Sequence, residues 1–372
     1  MLFNLNSVCL APVAVLDKEL KMVEKKHEKI LNFGRMLTVG GVIYLFSCTS
    51  VLADSAGLTV KSRPLLHTFV QIKLSSPKAD RVIDAAFQEM TRVNGLLNNY
   101  DPASEVSRIN AAAGHHFVEI SFETAAVLQS ALRVAKLSDG AFDFTVGPLL
   151  KVWGFSTDQP GRDGDGPSAE ELARAKSLVG YDQFLIRSAA DGSNNPFSAK
   201  LAKKGMYLDV GAFSKGYVAD CAMALIRKNG VQSALVTAGG TVVAMGVKPD
   251  RSCWTIGIRH PRKAGGMLAA IELENRAVST SGDYEKFYRK NNKRLTHIID
   301  PRTALPVDRH QSVTVIAKTG FESDALATAL FVMDTVRGMA LVNSLPRVEA
   351  LVIDHAGNIF MSRGWPEKNI TY

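Results

Sequence analysis

Cysteine is scarce in this sequence, and none of its cysteines has a metal-binding spacing. The 372 residues contain four cysteines, Cys9, Cys48, Cys221 and Cys253, with no Cys-x-x-Cys pair and no Cys/His cluster. The sequence therefore gives no indication of a zinc site. Cys221 and Cys253 could pair in an oxidising compartment, but positions in a sequence do not show whether two cysteines meet.

The motifs of the common nucleotide-binding folds are missing as well. Neither Gly-x-Gly-x-x-Gly nor Gly-x-x-x-x-Gly-Lys-Ser/Thr occurs, which excludes the usual phosphate loops. The formal net charge is +8, but the basic residues are spread along the chain without a basic helix or an aromatic-basic sheet face. We therefore expect no nucleic-acid partner. No period of about 20–50 residues recurs, which excludes a solenoid or a propeller.

The first 53 residues have the layout of a secretory signal. A basic run ends at Arg35, an apolar stretch covers residues 36–46, and small residues follow up to Ala53. This order predicts export, with cleavage after Ala53 and with Val51 at the −3 position. The sequence thus divides into a targeting segment, residues 1–53, and a single folded domain, residues 54–372.

Two alternatives to a cleaved signal stay open. The apolar stretch is shorter than the roughly 20 residues of a membrane-spanning helix, but it could still act as an uncleaved anchor. Leu45–Cys48 ("LFSC") resembles a lipoprotein acylation site at Cys48, although Phe46 is bulky for such a site. Residues 1–21 fit no part of a signal, so the true start could be Met22 or Met36.

Hydrophobic periodicity predicts an α+β fold with a mixed sheet. Residues 67–75 alternate as a strand, whereas residues 78–100 have apolar positions at helical spacing. Residues 156–168, rich in Gly, Pro and Asp, predict an exposed loop or a boundary between lobes. Helices and strands do not alternate strictly as βαβ units, so a Rossmann domain is not expected. Further helices are predicted within 121–140, 211–230 and 323–333, and further strands within 233–247, 253–261 and 349–362.

Two stretches carry residues suited to phosphate and to a metal ion. In "LDVGAFSKGYVAD" (208–220), a turn of small residues brings Lys215 to the start of a helix, where backbone N–H groups and the helix dipole favour an anion. In "ESDALATALFV" (322–332), Asp324 and Thr328 share one helix face, so their oxygens could bind Mg²⁺. Each stretch alone also fits a structural role: a solvated lysine, or a capping Asp and a Thr bonded to a carbonyl.

Two further stretches combine polar and aromatic residues. "DGAFDFTVGPLLKVWGF" (139–155) places Asp143 in a turn, and Phe142 or Trp153 could stack on an aromatic ligand or belong to the core. "VSTSGDYEKFYRKNNKRLTHIIDPRTALPV" (278–307) places His297 at a strand end, and the basic run before it predicts a solvated hairpin. A lone histidine is more often structural than catalytic.

The motifs, taken in order, resemble the FAD:protein FMN transferases, the ApbE family. The resemblance covers roughly residues 60–370 and implies an ApbE-like (T-fold-like) catalytic domain of mixed helix and sheet. It also implies a reaction: the pyrophosphate of FAD is cleaved, FMN is attached through a phosphoester to a threonine of an acceptor protein, and AMP is released. The motifs that carry it are "LNNYDPASEVSRIN", "GAFDFTVGPLLKVWGF", "LDVGAFSKGYVAD", "TAGG", "STSGDYEKFY", "HIIDPRTALP" and "ESDALATAL".

The resemblance also implies which residues of this chain act. His297 would take the threonine proton or steady the developing charge. Where the family commonly has Met-Gly-Thr, this chain has Leu66-His67-Thr68, so His67 adds bulk beside Leu66. The implied ligands of Mg²⁺, or of Mn²⁺ in its place, are Asp324, Thr328 and the carbonyls of Ala212 and Ala327. The implied FAD contacts are Leu66, Tyr100, Ala141, Phe142, Asp143, Asp209, Lys215 and Ile299.

Partners and location follow from the same resemblance together with the N-terminal segment. We expect FAD and acceptor flavoproteins as partners, subunits of membrane redox complexes among them. We expect the protein in the periplasm or on the periplasmic face of the inner membrane. Two rival functions remain open: a Mg²⁺-dependent FAD pyrophosphatase that uses water as nucleophile, and a flavin-binding lipoprotein without catalysis.

Overall fold

The computed structural model describes residues 52–54, 57–156, 166–188, 197–290 and 293–366. The predicted targeting segment lies outside these residues except for Leu52 and Ala53, and so do Cys48 and both alternative start sites. Within the described part of the chain, no helix is long and apolar enough to cross a membrane. Cys221 and Cys253 are both free thiols.

Helices appear in all four segments where the sequence predicts them. The described residues contain eight α-helices and a short 3₁₀ turn at Tyr181–Gln183. The helix predicted within 323–333 begins earlier, at Gly320. The helices are α1 (Ala79–Leu97), α2 (Glu105–Ala111), α3 (Phe122–Leu137), α4 (Gly147–Val152), α5 (Ala169–Lys176), α6 (Ser214–Lys228), α7 (Gly320–Val332) and α8 (Thr335–Ser344).

Local sequence explains how these helices begin, end and pack. α1 turns its apolar stripe inward, so that Phe87 and Met90 are buried. α3 begins after Ser121, whose hydroxyl accepts the Thr124 N–H at 3.2 Å. The chain leaves α3 through Gly140, which has a positive φ of 71°.

The strands form one large sheet and four small ones. In chain order they are β1 (Leu52–Asp54), β2 (Leu58–Leu65), β3 (Thr68–Leu74), β4 (Val118–Ile120), β5 (Phe184–Ser188), β6 (Phe197–Leu201), β7 (Ala234–Ala238), β8 (Thr241–Met245), β9 (Trp254–Arg259), β10 (Met267–Leu273), β11 (Ala277–Gly282), β12 (Phe287–Lys290), β13 (Lys293–Thr296), β14 (Ile299–Asp300), β15 (Leu305–Pro306), β16 (His310–Ala317), β17 (Glu349–Asp354) and β18 (Ile359–Met361). The small sheets are β4–β6–β5, β9–β10, β12–β13 and β14–β15.

The large sheet is antiparallel throughout its described pairings. Its nine strands lie in the order β1-β2-β3-β7-β8-β11-β16-β17-β18. Short turns join β2 to β3, β7 to β8 and β17 to β18, and strands joined by tight turns must run in opposite directions. The predicted α+β class is therefore confirmed, while the strand directions are antiparallel rather than mixed.

The large sheet separates two layers of the core. On one face, Val70, Ile72 and Val313 belong to the main core cluster, together with buried residues of α1, α6 and α7. On the other face, Leu351 belongs to a second cluster with Trp254 and the rest of the β9–β10 hairpin. A helical layer thus lies against one side of the sheet, and a β-hairpin covers the other.

Candidate active site

A cavity of 330 Å³ brings together residues from distant parts of the chain. Its wall comes from the β2–β3 turn, the segment after α1, residues 141–155, the segment that enters α6, the β7–β8 turn, the segments after β11 and β13, and α7. All predicted site residues except Ala327 line this cavity. They are Leu66, Tyr100, Ala141, Phe142, Asp143, Asp209, Ala212, Lys215, His297, Ile299, Asp324 and Thr328.

A close contact between α6 and α7 sets the position of the acidic wall. Gly216 of α6 faces Gly320 at the start of α7, and a Cβ on Gly216 would overlap the Gly320 carbonyl. Asp220 of α6 accepts the N–H groups of Gly320 and Phe321 at 2.7 and 2.8 Å, and so caps α7. Burial raises the pKa of Asp220 to about 6. Because the two helices are fixed to each other, Asp324 in the second turn of α7 faces the first turn of α6.

Asp324 is a buried carboxylate on the cavity wall. Its side chain accepts the Gly216 N–H at 3.0 Å, and its Oδ2 lies 4.0 Å from Nζ of Lys215. Burial raises the pKa of Asp324, and the Lys215 charge and the Gly216 N–H oppose that shift. A cation bound next to this carboxylate would stabilise its charged form.

Thr328 extends the oxygen-rich wall one turn further along α7. Its Oγ1 lies 3.3 Å from Ser281 Oγ and 3.5 Å from the Asp324 carbonyl oxygen. Ala212 also lines the cavity, and carboxylate, hydroxyl and carbonyl oxygens are the donors that suit a hard cation such as Mg²⁺. Ala327 is fully buried and does not line the described cavity.

Protein side chains alone do not complete a metal site here. In the part of the chain that the structure describes, no group of three or more His, Cys, Asp or Glu side chains could hold a metal ion. Magnesium usually keeps several waters and is bound through one or two carboxylates and the phosphates of a substrate. The donor set around Asp324 fits a cation that arrives with a phosphate ligand.

The turn before α6 is closed by its own side chains. Asp209 Oδ1 accepts the Gly211 N–H at 2.9 Å, and Asn99 Nδ2 donates to Asp209 Oδ2 at 3.4 Å. Lys215 Nζ donates to the Gly211 carbonyl at 2.8 Å. Burial raises the pKa of Asp209, while the positive charge of Lys215 acts in the opposite direction. Asp209 therefore shapes the turn that holds Lys215 at the cavity.

His297 faces the cavity with one ring nitrogen available. Its Nδ1 lies 3.0 Å from the Lys286 carbonyl oxygen, which can only accept. Nδ1 therefore carries the proton in the neutral ring, and the Nε2 lone pair is left to accept one. Burial lowers the pKa of His297 to about 4, and the charges of Lys215 and Lys286 act in the same direction. The imidazole is thus neutral at pH 7 and can act as a base.

The wall at residues 141–143 is held from behind. The buried Phe142 ring packs against Phe213, with ring centroids 6.2 Å apart. Asp143 Oδ1 accepts the backbone N–H and the hydroxyl of Thr145 at 2.8 and 2.7 Å, and Oδ2 accepts the Tyr181 N–H at 2.9 Å. Burial raises the pKa of Asp143 against these hydrogen bonds. Its carboxylate thus holds the loop whose backbone lines the cavity.

The Leu66-His67 dipeptide forms the turn between β2 and β3. Leu66 packs against the main core, whereas His67 is exposed. The His67 ring lies edge-to-face against Tyr100, with centroids 5.3 Å apart. Two aromatic rings therefore meet in the lining of the cavity.

The cavity also contains residues that the sequence did not single out. Lys286 and Glu285 lie on its wall directly before the β12–β13 hairpin. The basic run predicts a solvated hairpin. The β12–β13 hairpin forms, but Lys286, the first lysine of the run, lines the cavity. Gly239, with a φ of 58°, and Gly240 form the β7–β8 turn on the same wall. In the sequence this turn is marked by the "TAGG" motif. The motif contains no charged side chain, so its residues alone do not indicate a place in the cavity wall.

The sequence pattern of the ApbE family matches residues 66–352. The chain is 33% identical over 266 residues to the FAD:protein FMN transferase of Haemophilus influenzae, covering 70% of this chain and 74% of that protein. It is 31% identical over 303 residues to the FAD:protein FMN transferase of Treponema pallidum, covering 78% of this chain and 82% of that protein.

Solved structures of ApbE proteins share the fold. The crystal structure of the ApbE protein from Thermotoga maritima has a TM-score of 0.72 at 33% identity and covers 81% of this chain and 96% of that one. The flavin transferase ApbE from Vibrio cholerae has a TM-score of 0.73 at 28% identity, with coverages of 84% and 99%. The matched range contains every cavity residue discussed above, and this chain belongs to the ApbE family.

Proposed function

We propose that this protein is a Mg²⁺-dependent FAD:protein FMN transferase. Family membership supports the reaction class. One structural observation carries the assignment to this site: Lys215, Asp324 with Thr328, and a neutral His297 lie around one cavity. Cleavage of a pyrophosphate by a hydroxyl needs a cation near the phosphates, charge stabilisation and a base, and these groups provide all three.

The phosphate end of the cavity lies at the start of α6. Lys215 neutralises part of the pyrophosphate charge, and the positive end of the α6 dipole acts in the same direction. The N–H groups of Ser214, Gly216 and Tyr217 are already bonded to the Val210 carbonyl, the Asp324 carboxylate and the Phe213 carbonyl. The Lys215 side chain and the helix dipole, rather than these N–H groups, therefore carry the interaction with the phosphate. When bound by Asp324, Thr328 and the Ala212 carbonyl, Mg²⁺ supplies further charge neutralisation.

The transfer step needs one proton acceptor. The hydroxyl of the acceptor threonine attacks the phosphorus on the FMN side of FAD. A new O–P bond forms while the bond to the bridging oxygen breaks, and AMP leaves with that oxygen. His297 Nε2 takes the hydroxyl proton, and the Lys286 carbonyl keeps the ring in the tautomer that allows this.

The partner and the location are part of the proposal. The acceptor is a flavoprotein with a target threonine, and membrane redox complexes exposed to the periplasm are the class we expect. The order of basic, apolar and small residues in 24–53 supports export. A periplasmic enzyme, free or attached to the inner membrane, would meet such acceptors there.

The decisive experiment combines the full chain with FAD, Mg²⁺ and an acceptor domain that carries a target threonine. Mass spectrometry should show FMN on the acceptor, and chromatography should show an equal amount of AMP. An acceptor with Val in place of that threonine should stay unmodified. Free FMN and AMP with an unmodified acceptor would instead identify a pyrophosphatase, and intact bound FAD would identify a carrier.

The metal assignment has its own matched test. Asp324→Asn removes the charge of the proposed ligand and should lower FMN transfer by at least about 100-fold, because a hard-cation site loses its carboxylate. Asp308→Asn changes an exposed aspartate outside the cavity wall and should leave transfer unchanged. Calorimetric titration of Mg²⁺ into the ADP-bound protein should show binding for Asp308→Asn and its loss for Asp324→Asn. Full transfer by Asp324→Asn in excess EDTA would show that the assignment is wrong.

A further inference from the structure

The β2–β3 turn holds two side chains in a backbone conformation that disfavours them. Leu65 pairs with Thr68, which leaves Leu66 and His67 as a two-residue loop. Their φ angles are 58° and 54°, as a type I′ turn requires. Gly, Asn and Asp suit such positions, and His occurs there more often than most residues, whereas Leu is strained there. Strain of this kind, observed at the rim of a cavity, points to a use for the side chains.

The His67 ring has a specific contact at this rim. It lies against Tyr100 with ring centroids 5.3 Å apart and an interplanar angle of 69°, the edge-to-face arrangement that aromatic pairs prefer. Tyr100 is 51% exposed, His67 is exposed too, and both line the cavity. Leu66 packs on the core and so anchors the turn. The turn then directs the ring of His67 towards Tyr100.

The turn also lies beside the phosphate end of the cavity. A Cβ on Gly239 would be 3.3 Å from Thr68 Oγ1 and 3.5 Å from Lys215 Cδ, so Thr68 and Lys215 flank the same glycine. The ligands considered at this wall are heterocyclic rings joined through a ribose or ribityl chain to a phosphate. FAD carries two such rings, the isoalloxazine and the adenine.

We propose that His67 is a positioning and specificity-determining residue: with Tyr100 it forms an aromatic wall that holds one heterocyclic ring of FAD at the cavity rim. The inference rests on the proposed function for its ligand. His67 fixes the orientation of the Tyr100 ring and adds a second ring to the contact. Planar heterocycles bind to exposed aromatic side chains by stacking. The wall recognises a planar ring. FAD contains two such rings, and binding of FMN and of ADP distinguishes whether the isoalloxazine or the adenine lies against the wall.

The test separates the ring from the turn. His67→Asn removes the ring but keeps a residue that tolerates positive φ, whereas His67→Phe keeps a ring. His116→Asn, an exposed histidine outside the cavity lining, is the matched control. Dissociation constants for FAD, FMN and ADP are measured by fluorescence and calorimetry on the full chain, without acceptor and without divalent cation. Thermal unfolding of each variant is recorded in parallel.

We expect His67→Asn to weaken FAD binding by about 3- to 10-fold, the scale of an aromatic pair, with no loss of thermal stability. His67→Phe and the control should bind FAD within about 2-fold of the parent protein. If His67→Asn weakens FMN binding as much as FAD binding and leaves ADP binding unchanged, the ring at the wall is the isoalloxazine. If it weakens ADP binding and leaves FMN binding unchanged, the ring is the adenine.

Three results would overturn the inference: unchanged FAD affinity of His67→Asn, equal losses for FMN and ADP, or a loss in His67→Phe as large as in His67→Asn. Because binding is measured without acceptor, these results do not depend on FMN transfer. A parent protein that binds FAD but modifies no acceptor would instead refute the proposed function.

Discussion

His297 and Lys215 both line the cavity, but their contacts give them different tasks. His297 lines the cavity, is neutral at pH 7 and has its Nδ1 next to a backbone carbonyl, which leaves the Nε2 lone pair to accept a proton. Lys215 is cationic and lies 4.0 Å from the Asp324 carboxylate, where a phosphate of the ground-state ligand would already feel its charge. Rate and binding should therefore respond differently to the loss of each side chain.

Alanine variants of the two residues should separate these tasks. His297→Ala should lower single-turnover FMN transfer by about 10²–10⁴-fold, the range of a positioned acid–base group, and should change the FAD dissociation constant much less. Lys215→Ala should weaken FAD binding in the absence of turnover, because it removes a charge that the ground state uses. Equal losses of rate and affinity in His297→Ala would make the histidine a ligand contact rather than a base.

The low pKa of His297 also predicts a pH dependence of stability. In the folded protein the pKa is about 4, whereas an unfolded histidine titrates near pH 6.5. Between these values the unfolded state binds more protons, so this residue's contribution is present above about pH 6.5 and is lost as the pH falls towards 4. The urea midpoint of the parent protein should therefore fall more between pH 7 and pH 5 than that of His297→Gln.

The difference between the two proteins is the relevant quantity in that experiment. Asp209 and Asp324 have raised pKa values in the folded state, and their titration affects both proteins in the opposite direction. Parallel pH profiles for the parent protein and His297→Gln would show that the imidazole is not held neutral by burial.

Single residues could be predicted from the sequence where a motif carries them. Helical spacing places Asp324 and Thr328 on one helix face, but their predicted role and that of His297 come from the resemblance to the ApbE family. Lys286 could not be predicted, because a run of lysines and arginines looks equally solvated at every position. The hydrogen bond from the Tyr181 N–H to Asp143 could not be predicted either, because the two residues are far apart in the sequence.

At the scale of elements, the crossing of α6 and α7 does most to position the site. Gly216 and Gly320 allow the helix backbones to approach, and Asp220 joins them by capping α7. The same approach lets the Gly216 N–H reach Asp324. A change in the crossing would therefore move the carboxylate that we assign to the metal.

Substitution of Gly216 should test this contact directly. Gly216→Ala adds a Cβ that meets the Gly320 backbone, so we expect a loss of at least about 2 kcal/mol in the free energy of unfolding, with a loss of FMN transfer. Gly95→Ala is the matched control, because Gly95 lies within α1 with no heavy atom near the added Cβ. It should stabilise the protein by about 0.5–1 kcal/mol. Equal urea midpoints for the two variants would show that α6 and α7 can separate at little cost.

Helices were easier to predict from this sequence than the arrangement of strands. Amphipathic spacing and the Ser121 cap are local signals, and the structure has helices at these places. Strand directions depend on pairings between distant segments, such as β3 with β7, which residue patterns do not record. The type I′ turn at Leu66-His67 could not be predicted either, because Leu disfavours positive φ and the pair lacks the Gly, Asn or Asp that usually marks such a turn.

At the scale of the molecule, the cavity wall combines residues from most of the described chain. Its wall extends from Leu66 to Val332, and no single motif contains more than a part of it. Seven motifs in order therefore predicted the site better than any one of them did, because each motif supplies one side of the same cavity. No residue of the described wall belongs to the predicted targeting segment, residues 1–53, so its removal would take no residue from the cavity wall.

The order of residues 24–53 predicts an exported chain that begins at Asp54. Cleavage after Ala53 would remove Leu52 and Ala53 from the edge strand β1 and leave only Asp54 of it. β2 would keep its full pairing with β3. The free energy of unfolding of a chain that starts at residue 54 should therefore lie within about 1 kcal/mol of that of a chain that starts at residue 49.

Expressed with export machinery, the protein should leave the cytoplasm with Asp54 as its first residue, as N-terminal sequencing and intact mass will show. A lipid-modified Cys48 would identify a lipoprotein, and an exported chain that keeps Met1 or Met22 would identify an uncleaved anchor. Since β1 is a three-residue edge strand, FMN transfer by the chains that begin at 49 and 54 should be equal. Lower activity of the shorter chain would show that β1 supports the β2–β3 turn at the cavity rim.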